Sequence, residues 1–168
     1  MTEEIIRQIN AFYTEAARHS LAFPDAIAVS VHTDGGAVFR GSYSFEAEAL
    51  DPRTGSDEAQ RHAAVYSSRP DVCCVIRLED GHAHSFALLG RAVRCSTPLH
   101  RTFFPRDIRC VGSVGELSSS VQGENALLLR GVGAYIFSGT LSGALETALA
   151  LEYVARMRKI TEMLRSDN

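Results

Sequence analysis

Residues 55–90 read GSDEAQRHAAVYSSRPDVCCVIRLEDGHAHSFALLG, and this stretch decides the fold. Ser56, Asp57 and Glu58 make a helix start, with a hydroxyl that can accept from an orphan backbone N–H and two carboxylates facing the positive end of the helix dipole. Ala63, Ala64, Val65 and Tyr66 supply the apolar body of that helix. Pro70 must end it, because the residue before a proline is pushed out of the helical region. Val72 to Leu78, VCCVIRL, then reads as a short buried strand, His82 to Leu89 as a short helix stopped by Gly90, and Arg91 to Cys95 as a return strand.

Upstream, Ile5, Ile6, Ile9, Phe12, Tyr13, Ala16 and Ala17 recur at helical spacing over residues 3–19, behind an acidic first turn. The runs AIAVSVH, from Ala26 to His32, and AVFRGSYSF flank Asp34-Gly35-Gly36, so a hairpin is expected, followed by a loop over 46–57 that contains Pro52 and Gly55. Downstream, Arg101 to Arg109 reads as a solvated loop with two core phenylalanines. DIRCVG then reads as a strand, ELSSSVQ as a short helix, and ENALLLRG and Ala134 to Phe137 as strands. Ser142 to Leu164 is a long helix whose stripe runs through Ala150, Tyr153, Val154, Met157, Ile160 and Leu164. Helices and strands mixed without a βαβ period imply an α/β domain of three-layer α/β/α or α+β type. With no internal repeat and no linker, residues 1–168 are expected to form one domain.

Composition narrows the classes further. The chain has 168 residues with 17 basic and 20 acidic side chains, a net charge of −3, which argues against a nucleic-acid partner. No apolar run is long enough to cross a membrane, and the acidic start lacks the profile of a signal peptide, so no membrane partner and a cytoplasmic location are expected. Cys73, Cys74, Cys95 and Cys110 show no CxxC pair; reduced, mostly buried thiols are the expectation, with no zinc or redox site.

Ser56-Asp57-Glu58, His62, Val65-Tyr66, Arg69-Pro70-Asp71-Val72 and Leu89-Gly90 fall without a gap into the register of the class II aldolase and adducin family, which the stretch resembles. A second block, ALLLRGVGAYIFSGTLSGALETALALEYVARM, is similar to the same family's strand, glycine turn and Ala/Leu-rich helix. The resemblance implies a three-layer α/β/α class II aldolase-like fold around a central, mostly antiparallel sheet. It also implies a homo-oligomer, with a four-fold tetramer favoured and clefts between subunits.

The departures from the family pattern carry the functional reading. In the family three histidines hold a divalent cation that polarises a substrate carbonyl. Here the His-x-His positions are Arg77 and Glu79, and the third is Val132. Arginine has no lone pair to offer a cation and carries a permanent positive charge. The resemblance therefore implies no metal and no cofactor. Of the family's Gly-Asn-x-Ser phosphate turn only Ser30 remains, and Asp57 would repel a phosphate beside the retained Ser56.

Glu58 stands at the place of the family's acid/base, although a glutamate in a helix's first turn is also favourable without chemistry. Arg77 and Glu79, two apart on a strand, face the same side; they can pair with one another, or the arginine can hold a substrate anion. These readings assign Glu58, Arg77 and Glu79 to catalysis and Ser30, Ser56, His62 and His82 to a small-molecule substrate. His62 is as readily a packing or surface residue, and Tyr66 a core one.

Three functions follow. The first is a metal-independent enzyme for a small non-phosphorylated carbonyl or carboxylate compound, working by proton transfer as a lyase, isomerase or cyclase. The second is a non-catalytic, adducin-like binding or assembly domain. The third is a metal-dependent aldolase or epimerase whose ligands are displaced to His82, His84 or His100.

Overall fold

In the computed structural model, residues 2–44, 46–51, 53 and 55–166 are described. The opening amphipathic stretch forms α1 (Thr2–Arg18), and the hairpin expected after it is β1 (Ile27–Thr33) with β2 (Gly36–Arg40), paired from Val29↔Arg40 to Thr33↔Gly36. A two-residue strand, β3 (Glu48–Ala49), follows within the expected loop. Next come α2 (Asp57–Ser68), β4 (Cys74–Leu78), α3 (Gly81–Leu88), α4 (Pro98–Phe103) and β5 (Cys110–Val111). The chain continues with α5 (Val114–Ser120), β6 (Ala126–Leu129), β7 (Gly133–Ser138) and α6 (Leu141–Ser166).

The strands form one seven-stranded sheet in the order β3-β2-β1-β4-β7-β6-β5, antiparallel throughout except for β5 beside β6. β4 sits between β1 and β7 and is buried on both faces, which is why its sequence is an unbroken apolar run apart from Arg77. One face packs on α1, α3 and α6 through Ile9, Phe12, Ile27, Ile76, Phe86, Ile136 and Leu151. The other packs on α2 and α5 through Val65, Val75, Leu117, Leu127, Tyr135 and Phe137. This is the expected three-layer architecture with a mostly antiparallel sheet. Among the described residues no helix is long and apolar enough to cross a membrane.

Local chemistry explains the ends of α2. The Ser56 hydroxyl accepts from the Ala59 N–H at 3.2 Å, and the last turn closes with the Arg69 N–H on the Val65 carbonyl at 2.8 Å, one residue before Pro70. Arg69 then pairs with Asp71 at 2.6 Å and donates to the Val121 carbonyl at 2.7 Å, so the Arg-Pro-Asp-Val segment ties the helix end to the loop after α5.

Four expectations need correction. Arg91–Cys95 is no strand; Val93 makes a single bridge to Ile108, and the residues beside it, Ala92 and Arg94, are exposed. The segment read as a loop from Arg101 begins inside α4, whose Thr97 cap accepts from the His100 N–H at 3.3 Å and whose first residue is Pro98. The second hairpin run stops at Arg40, because the chain turns at Gly41–Ser44 with Tyr43 at φ 57°. Cys73 is exposed rather than buried. Phe45 and Pro52, on which parts of the hairpin and loop readings rest, lie outside the described residues.

Candidate functional site

The pairing Ala28↔Arg77↔Tyr135 places the Arg77 side chain on the α2-facing side of the sheet, above the first turn of α2. A guanidinium there cannot be hydrated, since Arg77 is only 5% exposed, so it must be partnered. Both terminal nitrogens are partnered, while Nε is buried without a hydrogen-bond partner among the described residues. Nη2 pairs with the Glu58 carboxylate, reaches Glu79 Oε2 at 2.9 Å and donates to Ser42 Oγ at 2.7 Å, while Nη1 donates to the Val132 carbonyl at 3.3 Å. Burial works against the guanidinium's charge, and the Glu58 and Glu79 carboxylates more than offset it, leaving its pKa above the ordinary value.

Ser42 completes the cluster. Its hydroxyl donates to Glu58 Oε1 at 3.2 Å, and its backbone N–H donates to Glu58 Oε2 at 3.1 Å. Both oxygens of Glu58 are thus oriented before any ligand arrives. Sequence reading missed Ser42, and it offered no signal, since the residue is 16 positions from Glu58 and 35 from Arg77 and only the turn after β2 brings it there.

A second polar group lies deeper in the same layer. The Ser30 hydroxyl meets His62 Nδ1 at 2.8 Å and the Tyr66 hydroxyl at 2.7 Å. His62 is fully buried, with Phe39 and Tyr135 edge-on to its ring at centroid distances of 5.2 and 5.9 Å. Burial, with the Arg77 and Arg61 charges adding to it, pushes the His62 pKa down to about 3, so the ring is neutral at physiological pH. Burial also pushes the Tyr66 hydroxyl upward and the Tyr135 hydroxyl up to about 12. His62 Nε2 has no hydrogen-bond partner among the described residues.

The residues expected at the site divide accordingly. Glu58, Arg77 and Glu79 come together. Ser30 and His62 form the buried pair behind them, and Ser56 is the cap of α2 on the rim of a recess of about 570 Å³. That recess is lined by Phe39, Ser42, Glu46, Glu48, Asp57, Glu58 and Arg61, among others, and its charge is predominantly acidic. His82 stands apart, in a separate recess beside Asp80 and Glu152, where the Glu152 carboxylate caps α3 by accepting from the His82 and Ala83 N–H groups at 2.7 and 2.9 Å. His84, on the same helix, has its pKa lowered, chiefly by burial, with the nearby Glu79 and Arg77 charges acting on it in opposite senses. His100 packs on Tyr153 from α4. Among the described residues no three His, Cys, Asp or Glu side chains are grouped to hold a metal ion.

A seven-stranded, mostly antiparallel sheet between two helical layers, with a polar cluster where β4 meets the start of α2, defines a protein of class II aldolase-like fold. Residues 19–158 match the class II aldolase and adducin N-terminal domain family, and the chain belongs to it. It is similar in structure to a putative aldolase/epimerase/decarboxylase, YgbL, from Klebsiella pneumoniae, at 16% identity and a TM-score of 0.79 over 92% of this chain and 88% of that one. It is also similar to L-fuculose-1-phosphate aldolase from Thermus thermophilus, at 12% identity and a TM-score of 0.74, covering 94% of each chain. A sugar-phosphate aldolase from Thermotoga maritima matches at 15% identity and a TM-score of 0.72, covering 97% of each chain. Comparison with curated protein sequences gives no match.

The three-histidine cation site that the family resemblance implies does not fit these residues. Arg77 offers only N–H donors, Val132 offers a carbonyl that is already accepting from Arg77, and the Glu58 and Glu79 carboxylates are turned onto the guanidinium. The three positions that the resemblance aligns with the family's histidines come together around the Arg77 guanidinium, through the Val132 carbonyl and the Glu79 carboxylate.

Proposed function

We propose that this chain is a metal-independent enzyme of class II aldolase-like fold that moves a proton on a small non-phosphorylated carbonyl compound, as a lyase, isomerase or cyclase. The observation that carries this reading is Glu58. Its carboxylate is held by Ser42 and Arg77 yet remains part of the recess lining, with 15% of its side chain exposed. Of the carbonyl and carboxylate substrates expected from sequence, the carbonyl is favoured, because Arg77 is already shared by two carboxylates and Glu46, Glu48 and Asp57 line the recess.

The charge arithmetic suits proton abstraction. When Glu58 takes a proton from the carbon beside the substrate carbonyl, its own negative charge disappears and a negative charge develops on the substrate oxygen. Arg77 then faces the enolate in place of the carboxylate, and the charge around the guanidinium is conserved through the step. Glu79 keeps the guanidinium in place meanwhile.

The burial of Arg77 favours a second reading, in which the ion cluster is a structural replacement for the cation in a non-catalytic binding or assembly domain. Deuterium exchange at the carbons beside the carbonyl of hydroxyacetone and dihydroxyacetone, followed by NMR in D2O, separates the two. Exchange that survives EDTA and is lost in a folded Glu58→Gln variant is the expected result. Exchange abolished by EDTA would refute metal independence, and none above the protein-free rate would favour the second reading.

A further inference from the structure

Arg61 follows Glu58 by three residues on α2, on the same face of the helix, and lines the same recess of about 570 Å³. Unlike Arg77 it enters no ion pair among the described residues, and its Nε is buried without a hydrogen-bond partner. The groups around it leave its charge uncompensated. Burial raises the Tyr135 pKa to about 12 although the Arg61 charge acts against that rise, so the hydroxyl stays protonated, and it too has no hydrogen-bond partner. His62 is neutral and turned to Ser30, and the Glu58 carboxylate is held by Arg77 and Ser42. Asp57 stands four residues before Arg61, a spacing that favours pairing, yet the two do not pair. Asp57, Glu46 and Glu48 are all exposed, where water and salt screen them, whereas Arg61 is half-buried and its charge reaches further into the recess.

We propose that Arg61 determines specificity by holding the carboxylate of a 2-oxo acid, through the paired N–H donors of a planar guanidinium. The inference rests on the proton-transfer reading above and narrows its carbonyl compound to one that carries an anion. Arg77 cannot take that anion, being shared by two carboxylates already, and Arg61 can. Spacing sets the class. Side chains three apart on a helix start about 5–6 Å from one another, a span matched by a carboxylate joined directly to the carbonyl carbon, with the carbon that Glu58 deprotonates on its far side. In that step the C–H electron pair becomes the C=C bond of the enolate, the carbonyl π pair moves to the oxygen facing Arg77, and the proton rests on Glu58; nothing is oxidised or reduced. A phosphate dianion fits less well, because Asp57 and Glu58 lie one turn away on the same helix.

The test is saturation-transfer NMR on the full chain in EDTA, titrating pyruvate and hydroxyacetone, with inorganic phosphate as a competitor; it reads binding without turnover. Pyruvate should bind at least about tenfold more tightly than hydroxyacetone, the increment expected of hydrogen bonds to a charged group. Arg61→Gln should remove that advantage, and Arg61→Lys should restore part of it. Lys159→Gln, on α6 in the opposite helical layer, should keep it. Circular dichroism checks that the variants fold, and the comparison of the two ligands on the wild type needs no variant. Equal affinity for pyruvate and hydroxyacetone overturns the inference. So does an advantage that survives Arg61→Gln, or phosphate that displaces pyruvate at a lower concentration than pyruvate itself requires. Pyruvate bound through Arg61 whose methyl protons exchange in D2O no faster than without protein would refute the proton-transfer reading while supporting the anion site.

Discussion

Lowering the pH from 7 to 5 should destabilise this protein through His62 by an amount that the structure sets. The ring is fully buried, packed on Phe39 and Tyr135, bonded to Ser30 and approached by the Arg77 and Arg61 charges, and its pKa falls from 6.5 to about 3. Above pH 6.5 the imidazole is neutral in both folded and unfolded chains, so pH has no leverage through it. Between 6.5 and 3 the unfolded chain takes up a proton that the folded chain refuses, and stability falls as pH falls, by up to about 1.4 kcal/mol per pH unit. Integrated from pH 7 to 5, the loss is about 2 kcal/mol. Glu152, whose carboxyl is raised by burial, acts with the opposite sign: its stabilising contribution is present at low pH and is lost as pH rises through its folded pKa. The wild-type slope alone is therefore ambiguous. The comparison that isolates His62 is urea unfolding of wild type and His62→Gln at both pH values, since glutamine can keep a hydrogen bond to Ser30 without titrating. The wild type should lose about 2 kcal/mol more than the variant over this interval. Equal losses in the two proteins would refute the buried, neutral imidazole.

Arg77→Met should cost about 3–5 kcal/mol, because it leaves the Glu58 and Glu79 carboxylates without their cation in a site of low solvent access. In a Glu58→Gln background the same substitution should cost at least about 1 kcal/mol less; equal costs in a double-mutant cycle would mean that the pair is not coupled. Gly133→Ala should cost about 3 kcal/mol or more by the same unfolding assay, since its Cβ would stand 2.4 Å from the Leu78 carbonyl oxygen in the strand beside Arg77. A near-neutral effect would show that β4 and β7 can separate at this point without loss.

Much of the fold was legible because its signals are local. Ser56 before two acids, Pro70 after a helical run and an apolar run between turn formers each specify an element within a few residues. The misreadings arose where local and distant influences compete. Thr97-Pro98 is a helix start, but α4 is only six residues long and carries too little apolar periodicity to read as a helix; of the two phenylalanines expected in the core, Phe104 is buried and Phe103 is partly buried. Arg91–Cys95 has a strand's composition but finds a partner only at Ile108, so one bridge forms where a ladder was expected.

The candidate site shows the same division more sharply. From sequence, the resemblance to the family implies that Arg77, Glu79 and Val132 stand at its three histidine positions and Glu58 at its acid/base position, while the two-residue period of an extended chain alone puts Arg77 and Glu79 on one side. The sequence left open which groups of its own chain would meet the Arg77 guanidinium. Only the tertiary structure decided that, by folding the turn after β2 over the site, delivering Ser42, and setting the start of α2 against β4, so that Glu58 reaches the guanidinium. It likewise turned His62 from a helix-face residue into a buried, neutral ring. The physical reason is that desolvation and ion pairing depend on which distant groups close over a side chain, and no periodicity along the chain encodes that.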